Sequence, residues 1–171
     1  MARLEYNFFH RDCQTVAKDL VGKVLVRQVG GELLRLRISE TECYCGEEDT
    51  ACHASKGKTK RTEVLYMDAG TIYIYLCYGI HWLMNIVTGR QGHPEAVLIR
   101  ACVDANGPGK LTKRLQITGA LNRHSILTST DVWVEDDGLR FEIIPDKRVG
   151  IGYASQEDQD RLWRFIMGGQ L

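Results

Sequence analysis

The chain has 171 residues, 44% of them hydrophobic and 26% charged, the composition of an ordinary globular protein and the length of one domain rather than two. Its 22 basic and 22 acidic side chains cancel, which excludes a generic salt-driven polyanion binder and leaves any nucleic-acid contact to a local patch. No stretch approaches the roughly 18 consecutive apolar residues of a membrane-spanning helix.

Asp12 has the character of an N-cap, and Cys13, Val16, Ala17, Leu20 and Val21 then fall on one helical face, with Gly22 at the C′ position. KVLVRQVGGELLRLRISETE comes next, two β-rich runs about Gly30-Gly31 that predict a tight hairpin. Leu34, Leu36 and Ile38 share one face of its second strand, while Arg35 and Arg37 take the other. Residues 45–62, CGEEDTACHASKGKTKRT, predict a polar connector with a short helical turn near 47–52. A second hairpin spans about 71–87 and turns at Tyr78-Gly79. In TIYIYLC, Tyr73, Tyr75 and Cys77 face one way and Ile72, Ile74 and Leu76 the other. AVLIRACV is a more fully apolar strand, and GPGKLTKRLQI a turn that opens a helix. VWVEDDGLRFEII predicts a third hairpin turning at Asp136–Gly138, and a short segment lies around LWRFIM. Strands joined by hairpins with few helices between them predict an antiparallel α+β domain, not a βαβ fold.

Three stretches hold residues suited to chemistry. In ETECYCGEEDTACH, Glu40 and Glu42 share one side of a strand and Tyr44 stands at i+2 from Glu42, with His53 on the next loop. Such a strand end can place a general base in a pocket, or be no more than a solvated acidic edge. The thiols and imidazole of Cys43, Cys45, Cys52 and His53 lack the paired spacing of a zinc knuckle, so no metal is expected. The six cysteines (these, with Cys13, Cys77 and Cys102) are expected as reduced thiols in an intracellular protein. MARLEYNFFHRD carries no apolar stretch of the signal-peptide type, and several cysteines sit in apolar runs. The second stretch is basic, KGKTKRT with Lys56, Lys58, Lys60 and Arg61, and Lys110, Lys113 and Arg114 form another basic group beside a Gly-Pro-Gly turn. The third is the tip YIYLCYGIHW, whose Tyr78 is a satellite core residue, an interface anchor, or a wedge that enters a base stack. Periodicity does not choose among the three.

Taken together, ETECY, His53, the YIYLCYG hairpin with Asn85, LIRA, GPGKL and RVGIGY resemble the alkyladenine (3-methyladenine) DNA glycosylase family of the mammalian type, in its compact bacterial form. The resemblance runs from about residue 12 to 165 with the motifs in family order. It implies one α+β domain over residues 1–171, a curved, barrel-like antiparallel sheet with flanking helices and a protruding hairpin. It also implies roles that spacing does not supply. Glu42 matches the catalytic base, Arg100 the arginine of the L-x-R strand end, and the main chain at Val149 would help hold the attacking water. Tyr44, His53 and Tyr75 match the aromatics that sandwich the extruded base, Asn85 the asparagine that rejects guanine, and Tyr78 the intercalating tyrosine. Lys60, Arg61, Ile80, His81 and Lys110 would line the DNA. The chain departs from the family pattern at TKRT (59–62), Ala69-Gly70, Cys43 and His81-Trp82, which bears on loop conformation and lesion preference.

The resemblance therefore implies a monofunctional enzyme without cofactor that releases alkylated or deaminated purines from double-stranded DNA, acts as a monomer and stays off membranes. The alternatives are a non-catalytic nucleic-acid-binding module built on the same aromatic and basic residues, or a protein-interaction domain using Tyr78 as a hot spot.

Overall fold

The computed structural model describes all of residues 1–171. Its centre is β3 (Glu32–Cys45), a strand of 14 residues. The first half of β3 pairs antiparallel with β2 (Val24–Val29) from Val24↔Arg37 to Val29↔Glu32, across the Gly30-Gly31 turn. Its second half pairs with β6 (Glu95–Cys102) on one edge and β9 (Arg164–Gln170) on the other. The register slips on either side of Glu40, a bulge that bends the strand and lets it serve both halves. With β1 (Ala2–Arg3), β4 (Ile72–Cys77), β5 (His81–Val87), β7 (Val132–Asp136) and β8 (Phe141–Asp146), the strands form one nine-stranded sheet in the order β1-β7-β2-β3-β6-β5-β4, with β9 joining β3 to β8. The expected α+β architecture with its curved antiparallel sheet is present, but the sheet is open rather than a closed barrel.

Four α-helices flank it: α1 (Tyr6–Phe9), α2 (Cys13–Leu20), α3 (Pro108–Arg114) and α4 (Gln156–Asp160). Asp12 caps α2 by accepting the Thr15 N–H at 3.0 Å, and Val16, Ala17 and Leu20 are buried on its inner face. They join Leu25, Ile38, Val97 and Ile99 in a core of 27 buried residues. The β4–β5–β6 layer separates that core from a second, smaller environment. Ile72, Ile74, Met84 and Ile86 point into the core. Tyr73, Val87 and Ala96, on the opposite face by strand alternation, cluster with Cys52, Val64 and Leu65, and Tyr44 and Tyr75 pack against them.

Four expectations are corrected. VWVEDDGLRFEII is not a hairpin: β7 pairs with β1 and β2, whereas β8 pairs with β9, because neighbouring strands compete more successfully for each edge than the local turn does. The helical turn expected near 47–52 lies later, as a single 3-10 turn at His53–Lys56. The segment around LWRFIM is a full strand, β9. The cysteines are not all reduced: Cys13 and Cys45 form a disulfide, because α2 packs its first residue against the end of β3. Cys43, Cys52, Cys77 and Cys102 are free thiols.

Candidate active site

Strand alternation sends Cys43 into the core and Glu42 and Tyr44 to the other face of β3. Glu42 is fully buried. One carboxylate oxygen accepts the Val149 backbone N–H at 2.6 Å, and the other accepts the Tyr44 hydroxyl at 3.1 Å. The Arg100 guanidinium stands 3.9 Å from Glu42 and 4.0 Å from Glu40, which also takes a hydrogen bond from Arg164 at 3.4 Å. Burial pushes the Glu42 pKa above the usual glutamate value, and the Val149 N–H and Arg100 only partly offset it. A carboxyl so tuned is a stronger base toward water than a solvated one.

What fixes Val149 is the residue before it. The Arg148 side chain is fully enclosed and forms a two-pronged pair with Asp49, at 2.6 and 3.0 Å, while donating to the Cys43 and Asp158 carbonyls. Its guanidinium lies 4.9 Å from the ring centres of both Tyr44 and Trp163. Asp49 in turn accepts the backbone N–H groups of Cys45 and Ala51. Arg148 and Asp49 thus tie the end of β3, the adjoining loop and the 147–153 segment into one unit around Glu42. Sequence reading missed both, because an arginine in a polar run and an aspartate in EED look solvated.

Beside the carboxylate lies a pocket lined by Tyr44, His53, Tyr73, Tyr75, Asn85 and Tyr153, with small apolar side chains behind them. The 3-10 turn presents His53, whose Nδ1 is 3.0 Å from the Tyr73 hydroxyl and whose ring meets Tyr75 edge-on at 4.6 Å. Desolvation, helped by Arg61 and Lys56, lowers the His53 pKa to about 4, so the ring is neutral near pH 7. Asn85 is buried on β5 opposite Tyr73, and its amide donates to the Tyr73 carbonyl at 3.1 Å. Arg61 lies over the Tyr75 ring at 5.8 Å. The pocket is therefore electron-rich on its walls and holds no carboxylate or lysine in its lining.

The β4–β5 hairpin that supplies Tyr75 carries Tyr78 and Ile80 at its tip, 90% and 71% exposed. Tyr78 has φ +52° and Gly79 φ +70°. Left-handed backbone costs a non-glycine residue about 1–2 kcal/mol, so an aromatic is held out of the protein at an energetic disadvantage. Lys60, His81 and Lys110 are also exposed. His81 adjoins the start of α3, where a Cβ added to Gly109 would come within 2.8 Å of its ring. The structure brings Glu42, Arg100, Val149 and Tyr44 together and places Tyr44, His53, Tyr75 and Asn85 around one pocket. The weighed zinc donors are not assembled: Cys43 and Cys45 group with Cys13 within 4.8 Å, and two of those three sulfurs form the disulfide.

The antiparallel α+β domain thus sets a buried carboxylate behind an aromatic pocket, beneath a projecting aromatic hairpin. A family model described as methylpurine-DNA glycosylase (MPG) matches residues 7–104 and 103–171. The chain is 43% identical to a protein of Natranaerobius thermophilus over 96% of its own length and 95% of the relative's. It is 41% identical to one of Borreliella afzelii, over 95% and 94%, and 42% identical to one of Methanocella arvoryzae, over 96% and 92%. All three bear provisional names as 3-methyladenine DNA glycosylases. The chain belongs to the methylpurine-DNA glycosylase family, DNA-repair hydrolases that act on N-glycosyl bonds.

Proposed function

We propose that this protein turns alkylated or deaminated purines out of duplex DNA and hydrolyses their N-glycosidic bond with a water activated by Glu42. The observation that carries the reading is the Glu42 carboxylate, fully buried yet hydrogen-bonded on both oxygens, next to an aromatic pocket. Burying a charge costs stability and adds nothing to DNA affinity, so a purely binding module has no use for it.

A base within the stack is out of reach, and extruding its nucleotide costs a few kcal/mol, least where pairing is already weakened. Tyr78, with Ile80, fills the space left behind. Lys60, Arg61, His81 and Lys110 lie on the surfaces flanking the hairpin and pocket and hold the backbone. The everted purine stacks among Tyr44, His53 and Tyr75, and a cationic methylated ring gains roughly 0.5–2 kcal/mol per electron-rich face. The Asn85 amide, fixed by the Tyr73 carbonyl, opposes the exocyclic amino group of ordinary guanine. In the reaction the C1′–N bond breaks with its electron pair leaving on the purine. The water oxygen bonds to C1′, and its proton passes to Glu42, held in line by the Val149 N–H and Arg100. Glu42 also opposes the positive charge that develops on the sugar, as carboxylates do in glycosidases. With no lysine in the pocket lining, no covalent amine step occurs and the product is an abasic site.

Oligonucleotide duplexes each carrying one defined lesion test this. The expected result is a strand break at the lesion only after heating in alkali. A break without alkali would show a lyase step, and no break with retained binding would identify a non-catalytic module.

A further inference from the structure

We propose that Tyr153 is the gate of the base pocket and the residue that sets how large a purine the pocket accepts. This rests on reading the pocket as the seat of the everted base. As it stands the pocket has about 40 Å³ of free volume. How a base enters this narrow slot depends on which side chains of its lining can yield.

Most of the lining is fastened. Tyr44 is bonded to Glu42 and stacked on Arg148, His53 is bonded to Tyr73, and Asn85 to the Tyr73 carbonyl. Tyr153 differs from all of them. It is 67% exposed, and its hydroxyl donates one hydrogen bond, to the carbonyl of Ala51, another residue of the lining, at 2.6 Å. The backbone on either side is anchored, since Ile151 and Ala154 are buried against Ala51. Around Gly150 and Gly152 there is open space, with no atom within 4 Å of an added Cβ. One side chain can therefore swing outward while the loop stays put. Because that loop also carries Val149, a hinge that moved backbone would disturb the N–H on Glu42; a side-chain gate leaves it in place.

Once a methylated purine is seated, the Tyr153 ring closes as a fourth aromatic wall beside Tyr44, His53 and Tyr75. A purine enlarged by a third fused ring holds the gate open and forfeits that contact. The residue thus selects by size where Asn85 would select by hydrogen bonding.

The test is single-turnover excision as a function of enzyme concentration, on duplexes carrying 7-methylguanine or ethenoadenine, for the intact protein, Tyr153→Phe and Tyr153→Ala. For Tyr153→Ala, half-saturation for 7-methylguanine is expected to rise roughly tenfold, the loss of one base–aromatic stack. The maximal rate falls less, and the preference for 7-methylguanine over ethenoadenine shrinks. Tyr153→Phe, which keeps the ring, retains the preference. Thermal melting checks folding, and Tyr153→Leu replaces the alanine variant if that one does not fold. An active wild type with Tyr153→Ala unchanged in both half-saturation and preference overturns the gate alone, as does an equal loss of maximal rate on both lesions. Wild type that releases neither base overturns the glycosylase reading, and the gate with it.

Discussion

At the tip of the β4–β5 hairpin two apolar side chains, Tyr78 and Ile80, stand almost wholly in solvent, whereas behind the pocket three charged side chains, Glu42, Asp49 and Arg148, are buried. Each region inverts the usual placement of its residue types, but they are built differently. The tip is a short turn whose side chains have no partners in the protein, so nothing in the fold depends on them. The inner charges are interlocked: Arg148 holds Asp49, Asp49 holds the backbone after β3, and the backbone beside Arg148 holds Glu42. At the tip, function and stability are separable; in the Arg148–Asp49 pair that holds the inner cluster they are nearly one property.

Three changes sharpen that contrast. The largest effect is expected from Arg148→Met, which leaves Asp49 as an uncompensated buried charge at a cost of about 3–5 kcal/mol. Chemical denaturation measures it, and a loss below about 1 kcal/mol would mean the cluster is not interlocked. Tyr78→Gly comes next. Glycine tolerates the positive φ, so stability is expected to hold or rise by up to about 1 kcal/mol. Capture of a lesion-bearing duplex should weaken by roughly tenfold, one base–aromatic contact. A variant that melts early while binding normally would reassign Tyr78 to the packing of the hairpin.

The smallest effect is on pH dependence. The proposed reaction needs ionised Glu42, and burial holds its pKa above the usual 4.5. Excision should therefore fail as the pH drops through a value above 4.5. His53, lowered to about 4, stays neutral through the neutral range and adds no second limb near 6.5. A limb at 6.5 in the pH profile of single-turnover rates would place a titrating histidine in the mechanism.

The same contrast decides how much of the molecule is legible in its sequence. Periodicity reveals α2 and both N-terminal hairpin strands, because alternation and capping are local signals. It also places Tyr73 and Tyr75 on one face of β4. It misleads at β7 and β8, because a turn motif does not state which edge a strand will pair with. The Cys13–Cys45 disulfide joins residues 32 apart in the chain, one on the apolar face of a helix and the other at the start of a polar connector, so neither local pattern points to the other. At the site, the aromatic wall and Glu42 are visible as residue types, and the family resemblance supplies their roles. The Arg148–Asp49 pair and Tyr153 are not visible, since a buried ion pair and a hydrogen bond between residues about a hundred apart exist only once distant loops meet.

Glu42→Gln tests the account most directly, because the amide keeps the shape of the carboxylate and one acceptor for the Val149 N–H, with its NH2 turned to the Tyr44 hydroxyl oxygen, while removing the charge. On a duplex with one methylated purine, excision should fall by about a thousandfold or more with binding retained. A folded group whose pKa is raised is stabilised in its neutral form, and that stability is lost as the pH rises through the folded pKa; the melting temperature of the variant at pH 7 should therefore increase. Excision at the wild-type rate by a well-folded Glu42→Gln protein would contradict the assignment of the water-activating base.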